Sequence, residues 1–109
     1  MREAAVEGYL LACVAALDGM CLKLSAMGAV GWPDRLVLLP GGVAGFLELK
    51  RPGKAPTAMQ MHRLDRLRAL GYEADYADTH AKVRAFLDRL TGFAARTAAI
   101  NQLADRLAT

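Results

Sequence analysis

The chain has little that would tie it to a membrane, an oxidising compartment or a transition metal. Its longest apolar stretch, around Tyr9 to Leu17, is too short to span a bilayer. A basic start and a small-residue cleavage site, the marks of a signal peptide, are missing. An intracellular protein with no membrane partner is therefore expected. Only two cysteines occur, Cys13 and Cys21, and their separation is not that of metal ligands. Buried thiols are expected rather than a disulfide or a zinc site. His62 and His80, the two histidines, have no companion ligands in the sequence, so neither is a site candidate. Repeats and low-complexity tracts are absent.

What is present suits one small folded unit. The 109 residues are 54% hydrophobic, enough to bury one core and too few for a second domain. A formal charge of +3 and a pI near 9.1 suit an anionic partner, but mild basicity fits many unrelated proteins.

Val6, Leu10, Cys13, Val14 and Leu17 recur at helical spacing, which predicts an amphipathic helix over about 3–17 ended near Asp18-Gly19. A short strand over 20–24 follows, then the glycine-bearing segment Ser25 to Trp32. Two apolar strands come next, joined by Pro40-Gly41-Gly42, and Arg51 to Pro56 reads as a polar loop. Thr57-Ala58-Met59-Gln60 fits a capping box opening a helix to about Leu70, closed by Gly71. Tyr72 to Ala77 reads as a strand, and Thr79 caps a helix with Val83, Phe86, Leu87 and Leu90 on one face. Around one mixed sheet flanked by helices, the order α-β-β-β-α-β-α makes an α/β core.

The charged residues on the paired strands carry the chemistry. A three-residue loop at Pro40, Gly41 and Gly42 pairs Leu39 with Val43 and sets Asp34 opposite Glu48. Lys50, two residues past Glu48, then shares their face, diagonal to Asp34. A two-residue loop would turn the acids to opposite faces, so the convergence depends on this register. Close carboxylates repel, and a bound divalent cation lets both stay ionised at neutral pH. Hard oxygen ligands favour magnesium or manganese over zinc. Such an ion polarises a phosphoryl oxygen and lowers the pKa of a bound water, while the lysine orients that water or stabilises developing charge. These are the parts of a phosphodiester hydrolase.

Taken singly, Glu-x-Lys is common on solvated strands, and an aspartate after proline is an ordinary turn residue. The flanking residues argue otherwise. Leu36 to Leu39 on one side and Phe46, Leu47 and Leu49 on the other read as strands buried on both faces, under helices.

The ordered set Gly31-Trp32-Pro33-Asp34-Arg35, Leu38-Leu39-Pro40-Gly41-Gly42, Leu47-Glu48-Leu49-Lys50, Pro52-Gly53-Lys54 and Gln60 resembles the VRR-NUC family of the PD-(D/E)xK nuclease superfamily. The resemblance runs from about Glu3 to Leu87. It implies a restriction-endonuclease-like core over 1–90, leaving 91–109 as a helical extension that packs on the domain or on a dimer partner. It also implies catalytic roles for Asp34, Glu48, Lys50 and Gln60, with Gln60 contacting the nucleophilic water or the scissile phosphate. That role competes with the capping box for the Gln60 side chain. The implied metal ligands are Asp34, Glu48, the Leu49 carbonyl and a glutamate of the first helix, Glu7 ahead of Glu3, although a solvated acidic pair explains those two equally simply.

By the same resemblance Lys23 stands near the substrate, where a snorkelling surface lysine is the ordinary alternative. Arg51 and Lys54 are candidates to track a DNA backbone, ahead of His62, Arg63, Arg66 and Arg68, which Asp65 and Asp75 dilute. The chain departs from the family in having Ala29 and Val30 where arginine is usual, and Trp32 where a small aliphatic is. Trp32 either packs the loop on the domain or stacks on a base.

Stand-alone phage and bacterial members resemble dimeric resolvases. The expected function is thus a magnesium- or manganese-dependent endonuclease of branched DNA, such as four-way junctions. It would work as a homodimer, without organic cofactor, in the cytoplasm of a bacterium or a phage-infected cell. Nucleases of flaps, single strands or linear duplex use the same motif. A non-catalytic DNA-binding module and a purely structural α/β protein are the other readings, against which the intact acids and lysine argue.

Overall fold

The computed structural model describes residues 2–25 and 30–108, the side chains at 93–98 excepted. Ala29 and the Phe93 side chain therefore lie outside the described residues. The elements follow the order α1 (Glu3–Ala16), β1 (Met20–Lys23), β2 (Arg35–Leu39), β3 (Val43–Leu49), α2 (Ala58–Ala69), β4 (Glu73–Ala77) and α3 (His80–Ala108). The strands form one mixed sheet in the order β1-β2-β3-β4, with β4 parallel to β3 and the other pairs antiparallel.

Local chemistry explains the boundaries. The hairpin turns on Pro40, Gly41 and Gly42, with φ of 94° and 77° at the two glycines, and Leu39 pairs with Val43 as the three-residue loop requires. Gln60 N–H donates to Thr57 Oγ1 at 3.2 Å while Gln60 Oε1 accepts from Thr57 N–H at 2.9 Å, a complete capping box. At the other end of α2, Tyr72 N–H reaches the Leu67 carbonyl and Gly71 N–H that of Arg68, the two bonds of a Schellman motif. Thr79 Oγ1 accepts from Lys82 N–H at 3.2 Å and caps α3.

The end of α1 holds a surprise. The left-handed residue is Asp18, at φ 58°, and not Gly19. Gly19 is needed instead for close approach, because a Cβ there would lie 2.6 Å from the Leu38 carbonyl oxygen and 2.7 Å from Leu39 Cδ2. Gly19→Ala should therefore destabilise the protein by about 1–3 kcal/mol. Gly8→Ala, where the new methyl meets nothing within 4 Å, should stabilise α1 by up to about 1 kcal/mol. Urea unfolding of the two variants checks both signs.

The sheet separates two apolar layers. On one face Val6, Leu10 and Val14 of α1 and Val83, Phe86, Leu87 and Leu90 of α3 pack on Val37, Leu39, Leu47 and Leu49. On the other, Leu64 and Leu67 of α2 pack on Ala74, Phe46, Tyr76 and Trp32. Burial on both faces is thus incomplete. α2 covers the β3–β4 half of its face, and Leu36 and Leu38 of β2 stay half-buried there. Cys13 and Cys21 are half-buried free thiols, less enclosed than the sequence suggests.

α3 runs unbroken through Thr91 and Gly92 to Ala108. Ile100, Leu103 and Leu107 are exposed along its end. At about 1.5 Å per residue the helix is roughly 43 Å long, and the molecule measures 51 Å along its longest axis.

Candidate active site

The hairpin register brings the sequence candidates together. Continuing the pairing of Arg35 with Leu47 by one residue sets Asp34 opposite Glu48. Asp34 N–H donates to Glu48 Oε2 at 3.1 Å, and Leu49 N–H donates to Asp34 Oδ1 at 3.1 Å. Each acid is thus held by the other strand's backbone. Lys50 Nζ lies 3.6 Å from Glu48 Oε1.

Gln60 joins them from α2, donating through Nε2 to Glu48 Oε1 at 3.0 Å. Its two roles do not compete. The amide oxygen caps the helix and the amide nitrogen meets the carboxylate, so the capping box orients the side chain towards the acid.

Burial raises the Asp34 carboxyl above its ordinary pKa, against the lowering effect of the Leu49 amide and Arg35. Glu48, 6% exposed, is raised first by burial and then by the charge of Asp34, with Lys50 opposing. Two acids that resist ionising together, with hard oxygens and a lysine alongside, fit a divalent cation. Asp34, Glu48 and backbone carbonyl oxygen are the donor types such an ion would take here.

These raised pKa values fix a pH dependence. The folded state holds the protons more tightly than the unfolded chain, so stability falls as pH rises above about 4. Asp78 acts in the opposite sense. Hydrogen bonds from Lys82 and the Gly53 amide lower its pKa, so its contribution is lost as pH falls. Asp34→Asn removes the Asp34 share of the first effect and leaves that of Asp78 in place. In chelator, its thermal stability relative to the unmutated protein should grow as pH rises above about 4.

Arg35 is the residue the sequence reading passed over. It is 5% exposed, its Nη1 donates to the Asp34 carbonyl at 3.0 Å and lies 3.4 Å from Asp34 Oδ2, and its Nη2 donates to Glu7 Oε2. Glu7 therefore meets the site through a guanidinium. Among the described residues no three His, Cys, Asp or Glu side chains gather as a metal-holding group; Glu7 meets Arg35, and Glu3 is near enough for its charge to act on Asp34. A lone arginine opening an apolar strand opposite a glutamate-bearing helix was the available signal.

The other candidates surround this centre. Lys23 pairs with Arg35 across β1 and β2, exposed at the same end of the sheet but on the α1 face, away from Glu48. Arg51 and Lys54 are exposed in the turn after β3, which Gly53 N–H ties to Asp78 Oδ2 at 2.9 Å. Arg63 and Arg68 are engaged within the domain, Arg63 with the Val30 carbonyl and the Trp32 ring, Arg68 with the Ala74 carbonyl, Asp65 and Asp75. Tyr76, unmarked in the sequence, pairs with Glu48 across β3 and β4 and lies beneath the Lys82 ammonium. His80 stacks on Tyr9. No helix among the described residues is long and apolar enough to cross a membrane.

No family model matches the sequence. A curated phage protein named "Putative nuclease p44", from Acyrthosiphon pisum secondary endosymbiont phage 1, is 39% identical over 79 residues, covering 72% of this chain and 85% of its own. A solved structure titled "VRR_NUC domain" superposes with a TM-score of 0.72 at 32% identity, covering 79% of this chain and 94% of that one. Sequence kinship, a shared mixed sheet and this arrangement of acids lead to one assignment: the chain belongs to the VRR-NUC nuclease family.

Proposed function

We propose that the protein is a magnesium- or manganese-dependent DNA endonuclease that cuts branched DNA. The observation that carries this reading is the convergence of Asp34, Glu48, Lys50 and Gln60 on one sheet face. Asp34, Glu48 and the Leu49 carbonyl would hold the ion, with Glu7 one guanidinium away as the further carboxylate. The ion, when bound, supplies a water of lowered pKa and polarises the scissile phosphate.

The chain's own residues then do the positioning. Lys50 orients the attacking water and offsets negative charge as it develops. Gln60, fixed by its helix cap, keeps Glu48 aligned and presents its amide to the water or phosphate. Lys23, Arg51 and Lys54 contact the DNA backbone. Exposed Ile100, Leu103 and Leu107, at helical spacing along the end of α3, support a homodimer in which two sites address two strands. The setting is the cytoplasm of a bacterium or of a phage-infected cell.

Incubation of the protein with labelled four-way junction, flap, single-stranded and linear duplex DNA tests the substrate. Cleavage of the junction in preference to the rest, with magnesium or manganese and not with chelator, is the expected result. Preference for a flap or single strand would keep the chemistry and replace the substrate. Metal-independent binding without cleavage of any DNA would make the protein a binding module.

A further inference from the structure

Beside the carboxylates lies an open cavity of about 240 Å³ lined by Leu24, Ser25, Trp32, Pro33 and Phe46. We propose that this cavity receives one unstacked base of the DNA, from a nucleotide next to the phosphate held at Asp34 and Glu48. The inference rests on the nuclease reading for where that phosphate lies. It adds a part of the substrate that the acids and lysine do not specify.

The cavity lining neighbours the acid pair. Pro33 precedes Asp34 in the chain, and Leu24 lies beside Asp34, with its N–H donating to the Asp34 carbonyl at 2.8 Å. Phe46, two residues before Glu48, projects from the same face of β3. A ligand reaching both places spans neighbouring groups of one nucleotide or of two consecutive ones.

The lining is almost wholly apolar and includes an indole and a phenyl ring. A sugar or phosphate would be poorly served there, whereas a base has a flat apolar face that stacks on aromatic side chains regardless of its identity. The size agrees, since about 150 Å³ is enough to hold benzene and drug-sized ligands need about 300 Å³ or more. A single heterocycle fits between these limits.

Trp32 is held for the task. It packs against the Leu64 and Leu67 cluster of α2, and the Arg63 guanidinium sits 4.6 Å from its ring centroid while Arg63 Nε donates to the Val30 carbonyl. The ring is thus braced by the helix that also carries Gln60. A base must be unpaired to enter, so the cavity favours DNA with unstacked nucleotides over continuous duplex.

The test measures binding of fluorescein-labelled single-stranded DNA by anisotropy in chelator, where a metal-dependent reaction does not run. One strand carries ordinary bases and a second carries abasic sites throughout its centre. The unmutated protein should bind the first about tenfold more tightly. Ser25→Trp, which fills the cavity from an exposed rim position, should bind both strands alike, and Phe46→Leu should narrow the difference. Equal affinity of the unmutated protein for the two strands would overturn the proposal, as would a full preference retained by Ser25→Trp. Failure to cut the same strand or any other DNA when magnesium is added would overturn the nuclease reading and leave the base preference standing. Absence of any DNA binding would overturn both.

Discussion

Glu48→Gln and Lys50→Ala should each lower cleavage by about 10³-fold or more while leaving a folded protein that still binds DNA. The size of the effect follows from how many partners meet at Glu48. Its two oxygens take the Asp34 amide, the Gln60 amide nitrogen and the Lys50 ammonium. Replacing the carboxylate by an amide of the same shape removes a negative ligand and turns one of its two acceptor oxygens into an NH2 facing a donor, either the Asp34 N–H or Gln60 Nε2. Lys50 is half-buried beside it, and truncation to alanine removes the only ammonium that the described structure pairs with Glu48. Single-turnover cleavage with a circular-dichroism control for folding reads both losses. Full activity in either variant would remove that residue from the chemistry.

The second large effect is a contrast in sign between two glutamates. In chelator, Glu7→Ala should destabilise the protein by about 1–3 kcal/mol, and Glu48→Gln should leave stability unchanged or raise it. Glu7 is the carboxylate partner of a guanidinium that is 5% exposed, so its loss leaves a buried charge with only the Asp34 oxygens. Partial exposure of Glu7 keeps the figure below that of a fully enclosed pair. Glu48 is in the reverse position, a buried acid facing another acid, so neutralising it relieves first the cost of burying a charge and then the repulsion from Asp34, against the loss of the Lys50 pairing and one accepted hydrogen bond. Denaturant midpoints measured with and without magnesium separate the two. If Glu7 acted only as a metal ligand, both substitutions would stabilise the metal-free protein.

Much of the site was legible because it is built from local rules. Pro40-Gly41-Gly42 sets the loop length, the loop length sets the register, and the register decides whether Asp34 and Glu48 share a face. Thr57 and Gln60 announce a helix start whose geometry also aims Gln60 at Glu48. What escaped was not local. Arg35 acts through α1, twenty-eight residues away along the chain at Glu7, and Tyr76 reaches the site only because β4 joins β3 in parallel. The cavity arises where α2 stops short of covering the sheet, which no periodicity announces. α3 also runs on from the core into 91–108 without a break, since a helix-interior glycine at Gly92 costs only about 1 kcal/mol and the neighbouring alanines and leucines favour helix.

The phage protein and the solved VRR-NUC structure match 72% and 79% of the chain. The cation site proposed at Asp34 and Glu48 can be titrated. Titration of manganese into the protein, read by loss of the free-ion electron paramagnetic resonance signal, tests it most directly. Saturable binding that Asp34→Asn and Glu48→Gln each abolish, and that magnesium displaces, is the predicted result. Manganese binding of equal strength in the unmutated protein and both variants would place the ion elsewhere and rule out a site at Asp34 and Glu48.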